Sequence, residues 1–564
     1  MIRQWKSVQM TRLFVVAIGL FTTASLLAQT LPQETPEQYQ QRMAWWQQAR
    51  FGMFIHWGPV SLKGTEIGWS RGGERRGTGG KGEIPVEEYD NLYKQFNPVR
   101  FNAQEWVALA QDAGMKYLVF TTRHHDGFSM FDSALTDYKI TRSPFHRDVV
   151  RELANACHQA NLRLGFYYSP PDWHHPDYRT ANHARFLEYF HGQIKELCSN
   201  YGRLDILWFD GLGGTAKDWD SEKLFPMIRS LQPQIIINNR AGLPADHDTP
   251  EQEIGKFQNT RPWESCITIC NQWAWKPDDT MKSLKQCLET LVRCAGGDGN
   301  LLFNVGPMPD GRIEPRQADR LREMGAWLRQ YGKSIYSTRG GPYKPGPWGA
   351  ATFRENRVFV HILQWKEDKL TLPPLPCKVT GSSLMTGGKH TFKQTDEAIE
   401  IEVDPRDRQD IDTIVVLDLD KPANIITPIG IRSASLASGK QATASNIFQN
   451  SSVHSPDKAF DDDDATRWAT DAGTHQAWLQ VDLGRPVGFN RVIINEAYAG
   501  RIQKFQLQRL EGETWKTFFE GTTVGEKGEF KFEPVTAQQV RFNILEATEG
   551  PTIWEFHILP AEKK

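Results

Sequence analysis

A chain of 564 residues is too long for one hydrophobic core and implies two to four domains. With 39% apolar and 24% charged residues it is a folded globular protein and not a disordered one. A net charge of −2 and the lack of a long basic stretch exclude nucleic acid as a charge-driven partner.

The chain begins with a processing segment. Arg3, Lys6 and Arg12 precede an apolar run, Leu13 to Phe21, and small residues lead to Leu26-Leu27-Ala28-Gln29. This pattern predicts a secretory signal over residues 1–28, cleaved near Ala28. Its apolar run is too short to span a bilayer, so the protein is expected across the inner membrane, in the periplasm or outside the cell.

From residue 29 to 340, apolar β runs alternate with amphipathic helical stretches. The β runs are Phe51 to Trp57, Tyr117 to Thr122, Leu162 to Ser169, Leu204 to Asp210, Ile235 to Asn239, Ser265 to Trp273 and Asn300 to Val305, with an eighth expected near Ser334 to Ser337. Helices are expected at Ala103 to Ala113, Arg147 to Ala160, Asn182 to Asn200 and Met281 to Cys294. The first is well signed: Asn102 can cap it, Glu105 sits at the capping-box position and Gly114 stops it. Eight such units predict an α/β class and a (β/α)8-like barrel. An open doubly wound sheet is the alternative, but no Gly-rich nucleotide loop follows the first strand.

From 341 to 425 the helical pattern stops. Short alternating runs between Pro and Gly turns predict a β-sandwich. Pro422 to Pro428 reads as a linker. Residues 430–564 form a second all-β unit with four consecutive acids, Asp461 to Asp464. Such acids repel one another unless they are well solvated or hold a hard cation such as calcium. The seven cysteines are not spaced as a disulfide framework and are expected as mostly buried free thiols.

In a (β/α)8 barrel the active site lies at the C-terminal ends of the strands. Here those ends carry His56-Trp57, Arg123-His124-His125, Tyr167-Tyr168-Ser169, Trp208-Phe209-Asp210, Asn239-Arg240 and Trp273-Ala274-Trp275. Ile206, Trp208 and Asp210 share one face, because side chains alternate along a strand. The set fits two chemistries. A metal site would use His56, His124, His125 and Asp210, but adjacent histidines on a regular strand point to opposite faces. A sugar pocket would use His and Tyr on hydroxyls, with Trp covering an apolar face. Glycoside hydrolysis then needs a second carboxyl group. Candidates lie in Asp246-His247-Asp248-Thr249-Pro250-Glu251-Gln252-Glu253 and at Glu264, although Glu264 would start a strand at the end away from the pocket.

Residues 45–340 resemble the α-L-fucosidases of glycoside hydrolase family 29. The matching stretches are Arg50-Phe51-Gly52-Met53-Phe54-Ile55-His56-Trp57-Gly58, His124-His125-Asp126-Gly127-Phe128, Tyr167-Tyr168-Ser169, Leu207-Trp208-Phe209-Asp210-Gly211 and Gly299-Asn300-Leu301-Leu302-Phe303-Asn304-Val305-Gly306-Pro307. The resemblance implies an exo-acting, retaining enzyme that releases α-linked L-fucose from oligosaccharides or glycoproteins. Asp210 would be its nucleophile, with His56, His124, His125, Tyr168, Trp208 and Arg240 on the sugar. The family's Asp-x-x-Thr-x-Glu pattern falls on Asp246 to Glu251. It implies Glu251 as acid/base, with Glu253 behind it. Glu66, Trp69 and Trp273 fall at further substrate positions, Trp273 against the fucose methyl. The Thr249-Pro250-Glu251 form and the appended module lean toward α-1,3/1,4 linkages. No cofactor is implied for catalysis. A non-catalytic, lectin-like binder or a glycosidase for another L-galacto-configured sugar are the competing readings.

Residues 431–559 resemble discoidin-like modules, close to family 32 carbohydrate-binding modules. The resemblance rests on Ala459-Phe460-Asp461-Asp462-Asp463-Asp464-Ala465-Thr466-Arg467-Trp468 and Gln480-Val481-Asp482-Leu483-Gly484. It implies a structural calcium held by Asp463, Thr466 and Glu555.

Overall fold

The computed structural model describes residues 34–430, 435–463 and 466–561. The expected signal segment lies outside the described residues. Among the described residues, no helix is long and apolar enough to cross a membrane.

The first domain is built on seven parallel strands: β1 (Phe51–Ile55), β2 (Tyr117–Arg123), β3 (Arg163–Tyr168), β4 (Ile206–Phe209), β5 (Ile236–Ile237), β6 (Glu264–Thr268) and β7 (Asn300–Val305). Their order is β5-β4-β3-β2-β1-β7-β6. Nearly every residue in them is buried, because one face meets the outer helices and the other the interior. That is why the strands read as continuous apolar runs. The longer helices are α1 (Pro36–Ala49), α2 (Ala103–Asp112), α3 (Val149–Gln159), α4 (His183–Asn200), α5 (Ser221–Leu231), α6 (Leu284–Gly296) and α7 (Pro315–Tyr331). The Asn102 side chain accepts from the Gln104 and Glu105 amides at the start of α2, and Gly114 follows its end with φ +83°.

The expected eighth strand is not at Ser334 to Ser337. Those residues follow α7 as a short 3-10 turn and further turns. The place of an eighth strand is taken by residues 246–252, between the two edges of the sheet. On one side the Asp246 amide donates to the Ile237 carbonyl (2.9 Å) and the Asn239 amide to His247 (3.0 Å). On the other side the Glu264 amide donates to Asp248 (2.9 Å), Cys266 to Pro250 (3.0 Å) and Gln252 to Cys266 (2.9 Å). The segment stays irregular because Pro250 has no amide hydrogen to give a ladder. It nevertheless closes the ring, and Glu251 stands at its pocket end.

Phe54, Val119, Tyr167, Ile206, Trp208, Ile236, Cys266 and Leu302 fill the interior, and Met43 and Trp46 of α1 close the floor. A Cβ on Gly52 would lie 2.3 Å from the Tyr117 ring, so only glycine fits there. Truncating an interior residue such as Leu302 to Ala is expected to cost about 2–5 kcal/mol.

The second domain pairs two antiparallel sheets. One runs Val379–Leu384, Thr413–Leu419, Arg357–Ile362, Gly349–Arg354 and Arg339–Gly340; the other runs Lys369–Leu372, Ile399–Val403 and His390–Gln394. The third domain is dominated by long antiparallel strands, Ala477–Glu496, Ile502–Glu511, Gly528–Ala547 and Thr552–Pro560, around a separate apolar core. All seven cysteines are free and six are buried.

Candidate functional site

The strand ends converge on one pocket. Its wall includes His56, His124, His125, Tyr167, Trp208, Asp210, Arg240 and Glu251, with Trp69 and Trp273 at the sides. Asp210 directly follows β4 and its carboxylate is fully engaged. Tyr167 donates its hydroxyl to Asp210 Oδ2 (2.9 Å), His125 Nε2 lies 3.5 Å from the same oxygen, and Arg240 Nη1 donates to Oδ1 (3.2 Å).

Arg240 is the hinge of the electrostatics. Its Nη1 also donates to Glu251 Oε2 (2.6 Å), so one nitrogen touches both carboxylates. The two oxygens are therefore no farther apart than those contacts end to end, about 5.8 Å. Thr249 fixes the guanidinium from behind, accepting from Nε at 2.7 Å and from Nη2 at 2.8 Å. The Trp208 ring lies 4.9 Å from its carbon. Burial opposes the Arg240 charge, but Asp210 and Glu251 more than offset it and hold the group protonated.

The three histidines are neutral. Burial pushes His56 down to about 4, against the opposing pull of Asn304, whose Oδ1 sits 2.7 Å from Nδ1. Burial also pushes His124 and His125 far down, and each is further lowered by a neighbouring imidazole. Ser169 Oγ lies 2.6 Å from His125 Nδ1, which leaves Nε2 facing Asp210. Glycine at position 68, with φ +68°, lets the chain pass close to His124; a Cβ there would lie 2.8 Å from its Nδ1. His124, His125 and Asp210 offer atoms within 4.8 Å of one another, close enough for a metal. A dication there would have to displace Tyr167 and sit beside the Arg240 guanidinium, which disfavours it.

Not every expected residue reaches the pocket. Tyr168 points to the outer face of β3, where its hydroxyl donates to Gln193 Oε1 on α4 (2.7 Å) and its ring stacks on Phe190. Tyr167 takes the inner place, because it pairs in register with Trp208 and shares its face. Glu66 is half-buried beside the wall. Its carboxylate accepts from the Trp273 amide (3.0 Å) and the Ala274 amide (3.1 Å), so it shapes the turn that presents Trp273. Burial raises its pKa despite those bonds. Glu253 is exposed and outside the pocket wall. Glu264 lies on the barrel floor, accepting from Tyr117 Oη and from Trp208 Nε1 (3.2 Å).

In the third domain, oxygens gather around the Thr466 hydroxyl. The Asp461 carboxylate is 2.8 Å away, and the carbonyls of Asp463 and Lys458 are at 3.3 and 3.4 Å. The Asp461 carboxylate also pairs with the Lys458 ammonium at 3.3 Å, and among the described residues the group in this domain whose ligand atoms lie within 4.8 Å of one another is Asp462, Glu555 and His557. Asp463 enters the Thr466 set by its carbonyl and not its carboxylate, which pairs with Lys344 at 3.0 Å. Glu555 Oε1 accepts from the Asp463 amide (3.0 Å). Asp461, two residues before the expected Asp463, supplies the carboxylate that meets Thr466.

A model of the alpha-L-fucosidase family matches residues 20–333, and a model of the F5/8 type C domain matches residues 441–556. Plasma alpha-L-fucosidase of Homo sapiens is 30% identical over 363 residues, covering 57% of this chain and 76% of that protein. Among solved structures, alpha-L-fucosidase isoenzyme 1 from Paenibacillus thiaminolyticus is 36% identical with a TM-score of 0.63, covering 68% of this chain and all of that one. A Bacteroides thetaiotaomicron alpha-L-fucosidase, trapped as a covalent intermediate with 2-fluoro-fucosyl fluoride, is 26% identical with a TM-score of 0.60, covering 67% and 96%. The Vibrio sp. strain EJY3 alpha-L-fucosidase, at 21% identity, shares the fold over 93% of this chain and 98% of its own, with a TM-score of 0.66.

Proposed function

The chain belongs to the α-L-fucosidase family of glycoside hydrolases, and from that premise we propose an exo-acting, retaining hydrolysis with Asp210 as nucleophile and Glu251 as acid/base. The observation that carries it is the single Arg240 nitrogen shared by both carboxylates. It limits their facing oxygens to about 5.8 Å, near the roughly 5–5.5 Å of retaining enzymes and short of the 6.5–9.5 Å that an inverting water needs.

An Asp210 oxygen attacks the anomeric carbon and forms a glycosyl ester. As the glycosidic C–O bond breaks, Glu251 delivers its proton to the departing oxygen. Glu251 then takes a proton from water, whose oxygen displaces Asp210 and restores the carboxylate. Neutral His56, His124 and His125 exchange hydrogen bonds with the ring hydroxyls, and Trp273 covers the methyl. The half-buried Asp210 and the exposed Glu251 (14% against 41% for the side chains) stand in different surroundings.

The substrate is a terminal fucose on an oligosaccharide or glycoprotein, with α-1,3/1,4 branching favoured by the form of the Glu251 segment and by the appended module. A cleft of about 310 Å³ in that module, lined by Arg467, Tyr498, Arg501 and Glu549, is open to a glycan arm. Calcium is proposed as its structural ion, held by Asp461, Thr466 and the neighbouring carbonyls. The apolar segment before Ala28 supports export to the periplasm or beyond. Following 4-nitrophenyl α-L-fucoside by NMR tests the core of the reading. The α-anomer of fucose should appear first; the β-anomer first overturns retention.

A further inference from the structure

The loop that continues from Glu251 reaches across to another domain. Its ties to the barrel gather at its start, where the Gln252 amide donates to Cys266 O (2.9 Å) and the Gln252 side chain donates to Thr268 Oγ1 (3.1 Å) and accepts from the Thr268 amide (3.3 Å), and thin out beyond, to the Gly255 amide on Ser265 Oγ (3.0 Å) and the Gln258 amide on Gly297 O (3.1 Å). Gln252, Glu253 and Ile254 are exposed. At the far side of the loop, the Lys256 ammonium sits 3.3 Å from the centre of the Trp554 ring in the third domain. The Arg467 guanidinium lies 4.8 Å from that same ring, so the indole is held between two cations. A second contact runs through the second domain. Lys344 Nζ pairs with Asp463 at 3.0 Å and lies 5.9 Å from the ring centre of Phe257, the residue after Lys256.

We infer that the C-terminal module holds the acid/base loop in register, with Trp554 as a positioning residue for Glu251; this rests on Glu251 being the proton donor. The geometry favours a working contact over a passive one. Among the described residues Arg240 is the hydrogen-bond partner of the Glu251 carboxylate, and the Glu251 side chain is 41% exposed. Its placement therefore depends on the backbone on both sides of it, which the Cys266 ladder holds at Pro250 and Gln252 and the module contacts farther along. A carboxyl displaced by about 1 Å from the leaving oxygen can lose up to a hundredfold in rate. The module grips that backbone five residues downstream, and by a cation–π contact, which persists in water better than a lone exposed ion pair. Arg467 also lines the 310 Å³ cleft, so a glycan seated there would touch a residue that touches the latch.

The test compares leaving groups. Loss of proton donation harms a substrate with a basic leaving group far more than one whose leaving group departs unaided. Trp554→Leu and Lys256→Met are assayed in the full chain on 4-methoxyphenyl and 4-nitrophenyl α-L-fucosides. Both variants should lose about tenfold in kcat/KM on the methoxyphenyl substrate and less than threefold on the nitrophenyl one, while Trp554→Phe stays near wild type. Lys256→Met lies outside the module, so its effect cannot come from a misfolded module. Equal losses on the two phenols, or none, overturn the proposal. Glu251→Gln is run beside them. If it lacks the leaving-group signature, the reading of Glu251 fails and amide exchange decides the latch. Faster exchange at Gln252 and Gly255 in Trp554→Leu then supports it, and unchanged exchange overturns it.

Discussion

Glu264→Gln isolates one buried charge beneath the pocket. The Glu264 carboxyl is pushed up to about 7 by burial, against the hydrogen bonds of Tyr117 and Trp208. An unfolded glutamate titrates near 4.5. Between those values the folded chain keeps a proton that the unfolded chain has lost. The stabilisation is therefore complete below about 4.5 and is lost as pH rises through about 7. A window of about 2.5 pH units corresponds to roughly 3 kcal/mol at 1.36 kcal/mol per unit. In the variant, the amide oxygen still accepts from Trp208 and the amide nitrogen can donate to the Tyr117 oxygen, but no charge forms. Urea denaturation of both proteins at pH 5 and pH 8, followed through the barrel's own transition, should show the variant gaining about 3 kcal/mol on wild type between the two. A stability difference that does not change with pH refutes the burial argument.

Three further outcomes are expected. Tyr167→Phe removes a donor to the Asp210 carboxylate, a charge-assisted bond worth about 1.5–3 kcal/mol, so kcat/KM should fall roughly ten- to a hundredfold. Tyr168→Phe should fall less than threefold, and equal losses would contradict the placement of the two rings. His56 is lowered to about 4, so the unfolded chain takes its proton first and stability drains as pH falls from about 6.5 to about 4. His56→Gln should lose that part of the acid sensitivity in melts at pH 7 and pH 4, and an unaltered slope would contradict it. Chelation with EDTA should lower the melting temperature of the third domain by several degrees, with recovery on adding calcium. Asp461→Asn should show no such shift, and indifference of the wild type to EDTA would count against the ion.

Much of this was readable in the residues, and the failures share a cause. The parity of β4 could be read because Asp210 is polar and its neighbours are not. The parity of β3 could not, because both faces are buried and Tyr167 and Tyr168 look alike. Only the register with Trp208 separates them. The closing segment has no apolar run to mark it as a strand: Asp246 serves a buried ion pair with Arg42 (2.8 Å), and Pro250 breaks the ladder. An eighth strand was then sought after α7, where the chain merely turns. Glu66 falls at a substrate position only through the family resemblance. In the structure its carboxylate meets the Trp273 and Ala274 amides, which carry no sequence signature. The latch at Trp554 joins residues almost three hundred positions apart, and no local pattern announces it.

The most direct measurement is to capture the intermediate. Incubating the enzyme with 2-fluoro-fucosyl fluoride and mapping the adduct by mass spectrometry should place one fluorofucosyl group on Asp210. A label on Glu251, on any other residue, or on none while turnover of aryl fucosides continues would contradict the assignment of the two carboxylates.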